Sequence, residues 1–149
     1  MQAGLGIIVR RSVQEVWRWV ADPRNLPTWL NGLSDVQPAA AGPMRTGTAM
    51  TATYTEDNRR HTIALHVVEA LPPHRLVLRW SHSPYPLTTT LEMEEVGEAG
   101  TQAFETRDFA PRTGLLTPAV GPFIRARMRL RMRKGLTALS DAIEALPLR

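Results

Sequence analysis

The fold is decided by Ile7-Ile-Val-Arg-Arg-Ser-Val-Gln-Glu-Val-Trp-Arg-Trp-Val-Ala-Asp-Pro-Arg-Asn-Leu-Pro-Thr-Trp29, which predicts a strand, a short helix, a proline break and a second short helix. Ser12 and Glu15 have the spacing of a capping box, in which each side chain bonds a free backbone N–H of the first turn. Asp22-Pro23 supplies a second cap with proline at the first helical position, and Asn31-Gly32 ends that helix. The first helix has one apolar face, formed by Val13, Val16, Trp17 and Val20.

Composition predicts a single soluble domain, residues 1–149, in the cytoplasm. The chain has 149 residues, 43% of them apolar, which is enough to bury a core without disulfide bonds. It has no cysteine, which excludes disulfides, thiolate zinc sites and cysteine nucleophiles. No apolar run reaches the roughly 18 residues of a membrane span, and no secretory signal is visible at the amino terminus.

The positive charge is concentrated near the carboxyl end. The net charge is +4, and six of the 18 basic residues lie within residues 125–134. Such a cluster can attract phosphate or anionic lipid. The simpler interpretation is a solvated helix face, so neither nucleic acid nor a membrane surface is the favoured partner.

The middle of the chain alternates apolar and polar residues with a period of two, which predicts strands. The segments are 48–55, 61–68, 76–80, 89–93 and 101–109. Short turns separate them, among them Leu71-Pro-Pro-His-Arg75, and such turns favour antiparallel pairing. Between Pro122 and Pro147 the pattern becomes helical, with an apolar stripe of Ile124, Met128, Met132, Gly135, Leu136, Leu139, Ile143 and Leu146.

This order of elements resembles the START-like helix-grip (SRPBCC) superfamily of the polyketide cyclase/dehydrase and lipid-transport type. The quoted opening carries the likeness, together with Val68-Glu-Ala-Leu-Pro-Pro-His-Arg-Leu-Val-Leu-Arg-Trp80 and Gly100-Thr101. The resemblance implies an α+β fold: a curved antiparallel β-sheet wrapped around a long C-terminal α-helix, with two short helices after the first strand. It also implies a cavity between sheet and helix, open near the short helices.

Given that cavity, strand parity predicts its lining. The residues expected to contact a ligand are Trp29, Met50, Tyr54, His61, Leu65, Leu78, Trp80, Leu91, Met93, Met128 and Met132. Trp29 would stand at the entrance, although packing of the second short helix is the favoured interpretation of this residue. On the last strand, the phase counted from Thr101 turns Ala103, Glu105 and Arg107 inward. A register slip of one residue would instead turn Gln102, Phe104, Thr106 and Asp108 inward.

His82, Glu105 and Arg107 are the candidate catalytic residues. Histidine titrates near neutral pH and can both donate and accept a proton. Glu105 and Arg107 are two residues apart, roughly 6.6 Å between Cα atoms, and could form an acid/base or anchoring pair. The alternative is that all three are ordinary side chains at solvated strand ends. No histidine spacing indicates a metal site, and no motif indicates a cofactor.

Three functions stay open at this point. The first is binding of a small hydrophobic ligand, aromatic or polyketide-like, by a monomer or homodimer that uses no cofactor. The second is a polyketide cyclase/dehydratase-type enzyme that uses the acid/base residues of the cavity. The third is an interaction or membrane-surface module using the basic C-terminal helix, where Phe123 and Leu130 lie opposite the apolar stripe.

Overall fold

The computed structural model describes residues 1–81, 86–109 and 117–148, which form seven strands, three α-helices and two short 3-10 turns. In chain order the strands and helices are β1 Gln2–Val9, α1 Val13–Val20, α2 Leu26–Trp29, β2 Leu33–Pro38, β3 Ala49–Glu56, β4 Arg59–Leu71, β5 Arg75–Ser81, β6 Leu87–Glu95, β7 Thr101–Phe109 and α3 Thr117–Glu144. The 3-10 turns are Pro23–Asn25, before α2, and Gly97–Ala99, between β6 and β7.

The seven strands form one antiparallel sheet in the order β1-β7-β6-β5-β4-β3-β2. Consecutive strands pair directly except β1, which crosses to the far edge and pairs with β7. The sheet is curved and α3 packs against its inner face, so the predicted helix-grip fold is confirmed. In the part of the chain described, no helix has the length and apolar content needed to span a membrane.

The first helix is capped more simply than its sequence predicts. The Ser12 hydroxyl accepts the Glu15 backbone N–H at 3.3 Å, as expected for an N-cap. The Glu15 carboxylate, however, accepts the Ser12 hydroxyl at 3.1 Å and lies 3.7 Å from Arg11 Nε. A full capping box would also have the Ser12 backbone N–H bonded to the Glu15 carboxylate. Here Arg11 is close enough to compete for that carboxylate, so an Arg11–Glu15 ion pair takes the place of this second bond.

Two elements differ from the sequence prediction. The alternation does not predict strand β2, since it is an edge strand that ends in proline and is interrupted by a bulge, with Asp35 at a φ of 50°. Helix α3 begins at Thr117, so the predicted start at Pro122 is wrong. Pro122 removes the N–H that would bond the Pro118 carbonyl and crowds that carbonyl, yet the helix continues through it.

The two short helices close one side of the molecule by packing on α3. Gly135 makes this possible, since a Cβ atom at this position would clash with the Trp29 carbonyl oxygen. The Asn31 side-chain amide donates to the Arg131 carbonyl at 2.8 Å, a second tie between α2 and α3. The packed core lies between the sheet, α1 and the second half of α3, and includes Val16, Leu91, Leu136, Leu139 and Ile143.

Candidate functional site

Strand β7 carries two charged side chains on the inner face of the sheet. Glu105 is 0% exposed and Arg107 is 5% exposed, whereas Phe104 and Asp108 face outward. The inward phase counted from Thr101 is therefore the one observed. Burial also excludes the alternative that Glu105 and Arg107 are ordinary surface charges.

The two charged groups bond each other and leave part of each group free. Arg107 Nε donates to Glu105 Oε2 at 2.6 Å, and Arg107 Nη1 lies 3.5 Å from Met128 Sδ on α3. Burial raises the pKa of the Glu105 carboxyl, and the adjacent Arg107 guanidinium offsets only part of that rise. Glu105 is therefore a stronger base than an ordinary surface carboxylate.

Four polar atoms on the inner face are buried without a hydrogen-bond partner among the described residues: Trp80 Nε1, Thr89 Oγ1, Glu105 Oε1 and Arg107 Nη2. Thr89 lies directly opposite Arg107 in the β6–β7 ladder, so the two side chains are neighbours. Each unpaired buried group costs about 1–3 kcal/mol. Because these atoms lie on neighbouring strands, a single water or polar ligand group could bond several of them.

Tyr54 connects this cluster to α3. Its ring meets the Trp80 ring edge-on, with centroids 5.5 Å apart, and Arg131 Nη1 donates to the phenol oxygen at 3.2 Å. Arg131 Nη1 also lies 3.5 Å from Glu56 Oε1. Burial is the main cause that raises the pKa of Tyr54, so the phenol keeps its proton and can donate it in a hydrogen bond.

The interior has two halves that differ in access to solvent. In the closed half, beside α1 and the second half of α3, inward side chains such as Met93, Ala103 and Leu139 are fully buried. In the other half, which we call the open half, most inward side chains are only partly buried. Its members are Tyr54, His61, Leu87, Ile124, Met128 and Arg131, with the buried Trp80 and Arg107 among them.

The predicted ligand contacts divide between these two halves. Tyr54, His61, Trp80 and Met128 lie in the open half, and His61 faces Tyr54 across the β3–β4 ladder. The others are buried and packed in the core: Trp29, Met50, Leu65, Leu78, Leu91, Met93 and Met132. The carbonyl of Trp29 faces Gly135 on α3, which is the position of a packing anchor. His82 lies outside the described residues.

Leu87, Thr89 and Arg131 are not among the predicted ligand contacts, although parity with Leu91 and Met93 turned Thr89 inward. Thr89 and Leu87 lie on β6 with the same parity as the predicted Leu91, so the alternation carried a usable signal. Arg131 lies at the edge of the helical stripe, but no sequence signal connects it with Tyr54, 77 residues away. In the described part of the chain, no three His, Asp or Glu side chains are placed to hold a metal ion.

A separate depression of about 720 Å³ lies outside the space between the sheet and α3, between the β1–α1 connection and the β6–β7 turn. Its walls carry both signs of charge, from Arg10, Arg11, Glu95 and Glu98. Arg11 Nη2 donates to the carbonyls of Glu144 and Leu146 at 2.8 and 2.9 Å, which caps the end of α3. The position of Arg11 in this depression is therefore explained by its bonds to the end of α3.

A family model described as "Polyketide cyclase / dehydrase and lipid transport" matches residues 6–144. The chain belongs to this family. Comparison with curated protein sequences found no match.

Solved structures share the fold over almost the whole chain. TTHA0849 from Thermus thermophilus aligns with a TM-score of 0.77 at 13% identity, over 97% of this chain and 98% of its own. The di-domain ARO/CYC BexL from the BE-7585A biosynthetic pathway aligns with a TM-score of 0.74 at 18% identity, over 99% of this chain and 51% of its own. A Rhodobacter sphaeroides protein aligns with a TM-score of 0.68 at 20% identity, over 97% of this chain and 93% of its own. At these identities the likeness shows the fold alone.

Proposed function

We propose that the protein binds a small, largely apolar ligand in the open half, with the ligand's oxygen-bearing end against Glu105 and Arg107. The observation that carries this proposal is the group of unpaired buried polar atoms within an otherwise apolar wall. A ligand oxygen that bonds one of these atoms would recover most of its desolvation cost, about 1–3 kcal/mol.

The chemistry of the wall supports this ligand class. Trp80 Nε1 and Arg107 Nη2 are donors, and Glu105 Oε1 accepts when ionised. Around them lie the apolar Leu87 and Met128, and methionine adapts to ligands of varied shape. A few polar groups in an apolar surround are typical of small-molecule sites.

Native mass spectrometry of protein purified from its own host tests the proposal first, since a retained ligand adds a defined mass. Titration calorimetry with 1-anilinonaphthalene-8-sulfonate then tests the site, and we expect saturable binding at one site per chain. Met128→Trp fills the open half and should abolish that binding. Leu130→Trp, two residues away on the exposed side of α3, is the matched control and should bind as the wild type does. Absence of both an added mass and saturable binding would refute the proposal.

A second candidate function is proton transfer, favoured by the raised pKa of Glu105 beside Arg107. Glu105 Oε1 would remove a proton from the carbon next to a ligand carbonyl. The electron pair would move to the carbonyl oxygen, where Arg107 Nη2 would stabilise the enolate. A carboxylate whose pKa is raised by burial is a stronger base for this step than an ordinary surface carboxylate.

Deuterium exchange into the methyl group of 2-acetylnaphthalene in heavy water tests this candidate by proton NMR. The wild type should accelerate the exchange and Glu105→Gln should not, while the exposed control Glu94→Gln should retain the full rate. Equal rates with wild type and Glu105→Gln would leave the protein a binding module only.

A further inference from the structure

The outer face of α3 exposes two large apolar side chains on the same side. Phe123 is 77% exposed and Leu130 is 55% exposed. Seven residues separate them, which at about 100° per residue is only about 20° short of two full turns. They therefore form a short apolar ridge, opposite the buried Met132 and Leu139.

Basic side chains surround this ridge and few carboxylates neutralise them. Arg125 and Arg129 donate to the backbone carbonyls of Gln2 and Gly4, at 3.0 and 3.3 Å, so their charges stay uncompensated. Arg127 lies 3.9 Å from Asp57, and this exposed pair is weak. No carboxylate of the described residues lies within 4.0 Å of Arg133 or Lys134.

We propose that this face of α3 docks on a bilayer that contains anionic phospholipid. Phe123 and Leu130 enter the head-group region, and Arg127, Arg133 and Lys134 bind lipid phosphates. This surface differs from a simple polyanion site, since exposed apolar side chains gain nothing from a nucleic acid backbone. A second copy of the chain is disfavoured because two such basic faces repel each other.

The apolar ridge lies on the same helical turns of α3 as two residues of the open half. Ile124 and Met128, on the inner side of the same helical turns, border the open half. A docked molecule would hold the open half close to the lipid, where apolar ligands concentrate. The proposal goes beyond ligand binding and does not depend on it, because docking is measured without any ligand.

Vesicle flotation tests the electrostatic part. We expect the protein to float with phosphatidylcholine vesicles that contain phosphatidylserine, but not with phosphatidylcholine alone, and to dissociate at high salt. The triple variant Arg127→Gln, Arg133→Gln, Lys134→Gln should lower partitioning by about 100-fold, at about fivefold per cation. The matched control neutralises three exposed arginines away from α3 and the β3–β4 turn, Arg18, Arg45 and Arg79, and should partition as the wild type does.

A second pair of variants tests the apolar part. Phe123→Ser with Leu130→Ser should lower partitioning by about tenfold or more. The control, Val68→Ser with Leu71→Ser, changes two exposed apolar side chains on β4 and should have no effect. Circular dichroism verifies that each variant is folded. Membrane docking is overturned if the wild type fails to float at low salt. It is also overturned if the ridge variant floats like the wild type, which would indicate a general polyanion site.

Discussion

Replacing Arg107 with Met leaves the buried Glu105 carboxylate without its ion-pair partner. Methionine keeps an extended side chain beside Met128 but removes the cation that lies 2.6 Å from the carboxylate. Because Glu105 is fully buried, an ionised carboxylate there would have no compensating charge. Breaking such a pair costs about 3–5 kcal/mol, which for a chain of this size lowers Tm by roughly 6–20 °C.

The pH dependence of this loss identifies its cause. Burial raises the native pKa of Glu105 and Arg107 opposes the rise, so Arg107→Met raises the pKa further. When the pKa of a carboxyl is higher in the native state than in the unfolded state, the native state keeps the proton to higher pH. The free energy of unfolding therefore falls as the pH rises from the unfolded pKa through the native pKa. The penalty of Arg107→Met should therefore be small near the unfolded pKa, at about pH 4, and should grow as the pH is raised above it.

Urea unfolding followed by tryptophan fluorescence across this pH range measures the effect. Removing both charges, with Glu105→Leu and Arg107→Met together, should be neutral or stabilising by about 1–4 kcal/mol. Arg79→Met, on the exposed face of β5, is the control and should change stability little at any pH. A penalty that is independent of pH, or a double variant as unstable as Arg107→Met, would refute the reasoning.

Three further predictions concern the elements around the site. Gly135→Ala should lower the free energy of unfolding in urea by about 2 kcal/mol or more, since its Cβ would meet the Trp29 carbonyl. The control Gly121→Ala should have a far smaller effect, since its Cβ would meet only the flexible Met1 side chain. Ser12→Ala should cost about 1 kcal/mol in thermal unfolding through loss of the α1 cap; no loss would mean that the cap is unimportant. Hydrogen bonding to Arg24 lowers the pKa of Asp22, so the stability that Asp22 contributes is present above about pH 3.8 and is lost as pH falls. The penalty of Asp22→Ala should shrink accordingly in acid, and a constant penalty would contradict this.

The sequence by itself determined the features that depend on local periodicity. The apolar face of α1, the proline-capped turn at Asp22 and the end of the second helix near Gly32 follow from neighbouring residues. Alternation left two phases open for β7, and the structure selects the one that turns Glu105 and Arg107 inward. These signals are readable because an alternation of two or a helical repeat is set within a few residues.

Only the tertiary structure decided how those residues meet. The contact between Arg131 and Tyr54 joins positions 77 residues apart and depends on how the sheet curves around α3. The approach of Trp29 to Gly135 and the early start of α3 likewise depend on packing between distant elements. The division into a closed and an open half has the same origin. Burial is a property of the assembled layers, so no local pattern distinguishes a core methionine such as Met132 from Met128, which borders the site.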